Sequence, residues 1–150
     1  MEKPLGPFRD LAVALVFLTR LPVRVQGPIA MRDLAAAVQW FPLVGVLIGG
    51  IGALAYLVAS LLGLPSLPAA TIAVAAMILA TGALHEDGLA DTADALGAGP
   101  DRERALMIMR DSRIGSYGTI ALVLVLLARA GTLTGIWEPL SFARIVVSAA

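Results

Sequence analysis

The sequence predicts an all-α fold, a polytopic transmembrane helical bundle. Three observations lead there. Hydrophobic residues make up 59% of the 150 and charged residues only 15%, against about 45–50% and about 25% in soluble domains. The mean hydropathy is +0.88, and a soluble chain of this length has too little interior to hide so much apolar surface. Segment 40–62, WFPLVGVLIGGIGALAYLVASLL, carries no charge over 23 residues, where about 20 suffice to cross a bilayer.

The elements follow in order, within a single transmembrane domain over 1–150. A short helix is expected at about 8–19. Its apolar run Leu11–Leu18 is bracketed by Arg9, Asp10 and Arg20, and no small-residue cleavage site follows. It therefore reads as an uncleaved helix, too short to span, lying in the interface or re-entrant. Segment 40–62 is the first span, and Gly45-x-x-x-Gly49 has the spacing of a close-packing face. GLPSLP (63–68) is an uncharged turn whose prolines stop the helices on either side. Residues 69–84 form the second span, continuing as a helix to about 96. Residues 117–137 form the third, and 142–150 start another.

Lys3, Arg9, Arg20, Arg24 and Arg32 precede the first span, and Arg102, Arg104, Arg110 and Arg113 lie in loop 85–116, so nine of the eleven basic residues share one side. By the distribution of positive charge, the N-terminus and loop 85–116 face the cytoplasm. Arg129 falls inside the third span, where a charge is costly and needs a partner or a polar cavity. Net charge is zero, which leaves no basic footprint for nucleic acid. Cysteine is absent, which excludes disulfides and thiolate metal sites.

The chemistry concentrates just past the second span, in LHEDGLADTADALG (84–97). His85, Glu86, Asp87, Asp91 and Asp94 lie within ten residues of one another. Asp87, Asp91 and Asp94 are spaced i, i+4, i+7, which puts them within about 60° on one helix face. Like charges so placed repel by about 0.2–0.5 kcal/mol per pair. A hard cation would relieve that, and Mg²⁺ favours one or two carboxylates plus substrate phosphates. A solvated helix end is the competing reading. Gly88 within the stripe costs about 1 kcal/mol in a helix and suggests close approach to the backbone. The lone histidine, His85, is structural, a metal ligand or a general base.

A second polar block is 101–116, DRERALMIMRDSRIGS. Asp101 suits a helix N-cap. Arg110, Ser112 and Arg113 suit a phosphate clamp, because guanidinium pairs with phosphate oxygens bidentately. Anchoring to lipid phosphate is the alternative. Carboxylates and arginines flanking one loop are the parts of phosphoryl transfer assisted by Mg²⁺.

FLTRLPV (17–23), FPLVGVLIGG (41–50), GALHEDGLADTADALG (82–97) and MRDSRIGSYG (109–118) together resemble the cobalamin synthase family, the adenosylcobinamide-GDP ribazoletransferases. The resemblance implies a multi-pass inner-membrane enzyme that uses Mg²⁺. It would join adenosylcobinamide-GDP to α-ribazole or its 5′-phosphate, giving adenosylcobalamin or its phosphate and GMP. It implies Asp87, Asp91 and Asp94, with Glu86 a weaker candidate, as ligands of metal and diphosphate. His85 and Asp91 become the catalytic candidates. Arg110, Arg113 and Ser112 become phosphate-binding candidates, joined by Arg20 if its helix folds back. Partners expected on this basis are the two substrates and the lipid bilayer. A second copy, or other enzymes of cobalamin assembly, is also allowed.

Two departures stand out. Asp94 is followed by Ala95, where the family often has glycine. Family members are also longer, so a truncated member is expected, ending at Ala150 inside a helix. A CDP-alcohol phosphotransferase is the runner-up, but its Asp-Gly-x-x-Ala-Arg motif fails at Asp91-Thr92. A transporter is less favoured, because its acids belong near mid-span.

Overall fold

The computed structural model describes residues 6–99, 101–111 and 113–148, with side chains as far as residue 135. Among them every regular element is helical: α1 (Pro7–Leu18), α2 (Met31–Ala37), a 3₁₀ turn (Val38–Trp40), α3 (Phe41–Leu61), α4 (Ser66–Thr81), α5 (Leu84–Gly97), α6 (Arg102–Ile108) and α7 (Ser116–Ser148). Met31–Leu61 and Ser116–Gly135 are long and apolar enough to cross a membrane, and α4 with α5 makes a third span if counted as one bent unit. Val46, Leu54, Leu61, Leu79, Leu124 and Leu127 are exposed. In water they would be a liability, and such exposure is in keeping with a membrane protein.

The short helix α1 does not lie alone. It packs on α2 and α3 through Val13, Ala14, Ala37 and Val44, with Leu11, Leu15 and Ile48 around them. The rings of Phe17 and Phe41 stack at 6.0 Å. Asp33, buried in the first turn of α2, accepts the Ala30 N–H at 3.0 Å and the Arg9 guanidinium at 3.4 Å. These bonds tie the start of α1 to the start of α2.

Helices α3 and α4 form a hairpin around a turn in which Gly63 takes φ +86°. Tyr56, Ala59, Ala69, Ala70 and Ala73 form its core, with Leu133 of α7 packed against them. The close approach of α3 to α4 is at Gly52, where an added Cβ would come within 2.8 Å of the Met77 sulfur. The expected packing face at Gly45 and Gly49 is not used this way. A Cβ at either position would meet no atom within 4 Å.

Four helix limits differ from expectation. Helix α4 opens at Ser66, not 69, and takes Pro68 into its first turn, where a proline's missing N–H costs no helical bond. The second span does not run straight on to residue 96. Gly82 and Ala83 both adopt left-handed backbone, φ +66° and +61°, and α5 departs from α4 at 90°. The peptide N–H groups of Gly82 and Ala83 turn back to the Leu79 and Ile78 carbonyls, closing α4. The stretch 85–116 is mostly helical, since α5 and α6 occupy it. The helix expected to start at 142 is the continuation of α7, which passes through Pro139 unbroken to Ser148. A proline removes one ladder bond, and a membrane helix tolerates that loss where the freed carbonyl finds another donor. Residues 149 and 150 lie outside the described residues.

The bend makes a stability prediction. Ala83→Gly removes the cost of a left-handed L-residue, about 1 kcal/mol, and should raise the unfolding midpoint of the full-length protein in detergent. Gly82→Ala should lower it by about as much or more, because the new Cβ also overlaps the Arg20 side chain. Equal midpoints for both variants would show that the bend is not under conformational control.

Candidate active site

The bend delivers α5 to the place where α6 and α7 begin. Its first residues then diverge. Glu86 points inward: its side chain is 11% exposed and pairs with Arg129 of α7, Nη1 to Oε1 at 2.5 Å. The other carboxylate oxygen, Oε2, is buried without a partner among the described residues. The intramembrane arginine thus has its counter-ion, and the one acid on α5 that meets it is Glu86.

Asp87 and Asp91 line a cavity of about 420 Å³ together with Glu86, Arg110, Asp111 and Arg113. No hydrogen bond or ion pair holds either carboxylate among the described residues. Asp94, the third acid of the stripe, is committed elsewhere. Its Oδ2 accepts the Gly115 N–H at 2.7 Å and its Oδ1 accepts the Gly118 N–H at 2.8 Å. It caps α7 from another helix, placing a full negative charge on the positive end of the helix dipole. Glycine is required on the α7 side. A Cβ at Gly115 would lie 2.8 Å from the Asp94 carboxyl carbon, and one at Gly118 would lie 2.9 Å from the Ala90 carbonyl.

The basic side of the cavity comes from the connection between α6 and α7. Asp101 caps α6 as expected, its Oδ1 accepting the N–H groups of Glu103 and Arg104. Arg110 is exposed and takes no carboxylate partner among the described residues. Arg113 is chelated by Asp111 through Nε at 3.0 Å and Nη2 at 2.6 Å. The hydrogen bonds from Arg113 hold the Asp111 carboxyl below the usual aspartate range, and the same contact raises the Arg113 guanidinium. Ser112, the remaining phosphate candidate, lies outside the described residues.

Arg20 does fold back. Its peptide N–H donates to the Ala80 carbonyl at 2.8 Å. Its side chain crosses the α4–α5 junction so closely that a Cβ on Gly82 would sit 2.8 Å from Arg20 Cδ. His85 is exposed and opens on a second cavity, of about 470 Å³, along with Glu86 and Arg129. The expected catalytic pair, His85 and Asp91, therefore borders two different cavities.

Among the described residues no three His, Asp or Glu side chains converge as a self-sufficient metal cage. The donors nonetheless fit Mg²⁺, which takes one or two carboxylates and leaves other positions to water and phosphate. Asp87 and Asp91, one helical turn apart and without partners among the described residues, could supply such donors. Two features escaped sequence reasoning. Arg129 signalled that a partner must exist but not which acid. The use of Asp94 as a cap was foreshadowed only by Gly-Ser-Tyr-Gly at the head of α7.

Residues 10–150 match the model of the cobalamin-5-phosphate synthase family. An adenosylcobinamide-GDP ribazoletransferase of Mesorhizobium japonicum is 48% identical over 143 residues, 94% of this chain and 55% of that protein. One of Bradyrhizobium diazoefficiens is 52% identical over 130 residues, 87% of this chain and 50% of that protein. One of Shewanella amazonensis is 47% identical over 117 residues, 78% of this chain and 45% of that protein. The chain thus spans about half the length of these curated relatives. No solved structure matches.

Two measurements test this arrangement. With divalent cations chelated, Asp94→Asn should destabilise the protein by about 2 kcal/mol through loss of charged hydrogen bonds. Unchanged stability would remove the cap. The Asp111 carboxyl should titrate below the usual aspartate range in a ¹³C NMR experiment. Because its folded value is lowered, the contribution of the pair with Arg113 is complete above the usual aspartate range and is lost as pH falls below it, through the lowered folded value. Arg113→Gln should return the titration to the ordinary range.

Proposed function

We propose, from the premise that this chain belongs to the cobalamin-5-phosphate synthase family, that it carries the phosphate-handling half of a membrane ribazoletransferase site. The relatives are named adenosylcobinamide-GDP ribazoletransferases; in the reaction inferred for this site, a hydroxyl of α-ribazole or its 5′-phosphate attacks the cobinamide-bound phosphorus of adenosylcobinamide-GDP, loses its proton, and GMP leaves. The observation that carries this reading is the cavity in which Asp87 and Asp91 of α5 meet Arg110 and Arg113 of the α6–α7 connection.

The residues divide the work by charge. Asp87 and Asp91 would hold Mg²⁺, which when bound neutralises diphosphate oxygens. Arg110, which has no carboxylate partner among the described residues, binds a phosphate directly. Arg113 trades Asp111 for a phosphate oxygen, exchanging one bidentate partner for another. Arg20 adds positive charge at the junction from which α5 departs. His85 is the imidazole available in the motif as base. Asp94 takes no ligand and instead holds α7, with Arg129 on it, against α5. Such preset electrostatics is the main source of rate in phosphoryl transfer. The excess of arginine and lysine before the first span and in 85–116 supports a site on the cytoplasmic side of the inner membrane.

The test is turnover. Membranes holding the full-length protein, given adenosylcobinamide-GDP, α-ribazole and Mg²⁺, should release GMP and form the cobalamin product. Asp91→Asn should lose about 100-fold or more in kcat/KM, with partial recovery at high Mg²⁺. Arg110→Ala should weaken donor binding. Absence of GMP from the wild type would overturn the assignment.

A further inference from the structure

The two arginines that line the cavity with Asp87 and Asp91 are held differently. Arg110 has no carboxylate partner among the described residues. Arg113 is clasped by Asp111, two residues before it in the same connection. Its Nε donates to Oδ1 at 3.1 Å and to Oδ2 at 3.0 Å, and its Nη2 donates to Oδ2 at 2.6 Å. A guanidinium presents that Nε–Nη2 edge to a carboxylate and to a phosphate in the same bidentate way. Asp111 therefore fills, from within the chain, an edge by which Arg113 takes a phosphate.

The backbone around the clasp is pinned. The Arg110 and Asp111 peptide N–H groups donate to the Met107 and Ile108 carbonyls, and Asp94 holds the Gly115 N–H. Asp111 Oδ1 also accepts the Arg113 peptide N–H at 3.2 Å, which fixes the turn between the two residues. What is left to change is the pairing of the side chains. That of Arg113 is 87% exposed and that of Asp111 38%, and an ion pair so open to water is weak. A buried clasp would keep Arg113 shut. This one opens for a phosphate, and it closes again when the phosphate goes, because the carboxylate stays tethered beside its guanidinium at high effective concentration.

We infer that Asp111 is an internal competitor for phosphate: a positioning residue that acts through Arg113 and loosens the hold of the site on GMP. This role rests on the transferase reading above and adds to it how the product leaves. In the empty site Asp111 occupies Arg113. The donor's phosphate displaces it, with no bond made or broken beyond the exchange of ion-pair partners. Once the bond between the transferred phosphorus and GMP has broken, Asp111 retakes the guanidinium and GMP departs. Simple competition weakens donor and product by one common factor, about two- to fivefold for a pair this exposed. A site filled with donor loses little by that, while a site that has to shed GMP gains.

Asp111→Asn separates this role from a structural one, because a competitor's removal strengthens binding and a support's removal weakens it. The amide keeps Oδ1 for the Arg113 peptide N–H and so keeps the turn, but it puts an NH₂ group where Oδ2 accepted Nε and Nη2. The full-length protein in nanodiscs is titrated with GMP in the presence of Mg²⁺ by calorimetry, and circular dichroism verifies that each variant folds. Asp111→Asn should bind GMP about two- to fivefold more tightly than wild type. Arg113→Gln should bind it more weakly, and adding Asp111→Asn to Arg113→Gln should bring no further gain. In turnover, Asp111→Asn should lower the donor KM and strengthen inhibition by GMP together. Equal or weaker GMP binding by folded Asp111→Asn overturns the competition, and active wild type then leaves the transferase reading standing. A gain that survives in the Arg113→Gln background also overturns it, since Asp111 would act on the charge of the cavity and not through Arg113. Wild type and variants that bind GMP in the expected pattern, with no GMP released from adenosylcobinamide-GDP, keep the competition and remove the transferase reading.

Discussion

The Asp94 carboxylate bound to the first turn of α7 is the contact on which the rest of the arrangement depends. A helix begins with N–H groups that no partner within the helix can satisfy. For α7 two of these, at Gly115 and Gly118, are met from another helix. That choice brings α5 and α7 to backbone distance. It also fixes the phase of α5: with Asp94 turned to α7, Asp91 and Asp87 are left along the cavity wall, and Glu86 is aimed at Arg129. A different solution for the head of α7 would release all four acids at once.

The Glu86–Arg129 pair is the second tie between the same helices, nearer the apolar layer. Burying two charges costs more than their attraction returns unless the remaining lone pairs and N–H groups are satisfied. The pair is therefore poor evidence of stability taken alone, since among the described residues Oε2 is buried without a partner. The 90° bend at Gly82–Ala83 makes both ties reachable. A straight continuation of α4 would carry the acid motif away from the α6–α7 connection, and the arginine block would not face the carboxylates of α5.

Much of the architecture was legible in the residues. The uncharged 40–62 segment and the Asp101 cap each follow from local rules, and the structure places them where those rules say; the turn expected over 63–68 is shorter, because α4 begins at Ser66 and takes Pro68 into its first turn. The i, i+4, i+7 spacing did put the acids on one helix face. Spacing could not say that the face would be shared between two tasks. The glycines show the same limit. Gly45-x-x-x-Gly49 reads as a packing motif, yet the close contact falls at Gly52, and the two earlier glycines leave a cavity.

What the sequence by itself determined is whatever depends on composition and short-range order: the membrane class, the helical periods, the caps and the charge asymmetry. The four motif blocks added the family. Only the tertiary structure decided which acid serves which purpose. Glu86, Asp87, Asp91 and Asp94 are chemically interchangeable as a string of carboxylates. They differ because a left-handed pair of residues turns α5, and because α7 supplies N–H groups at one level and a guanidinium at another. Those partners lie 21 to 43 residues away in sequence, and no local pattern encodes a meeting over that separation.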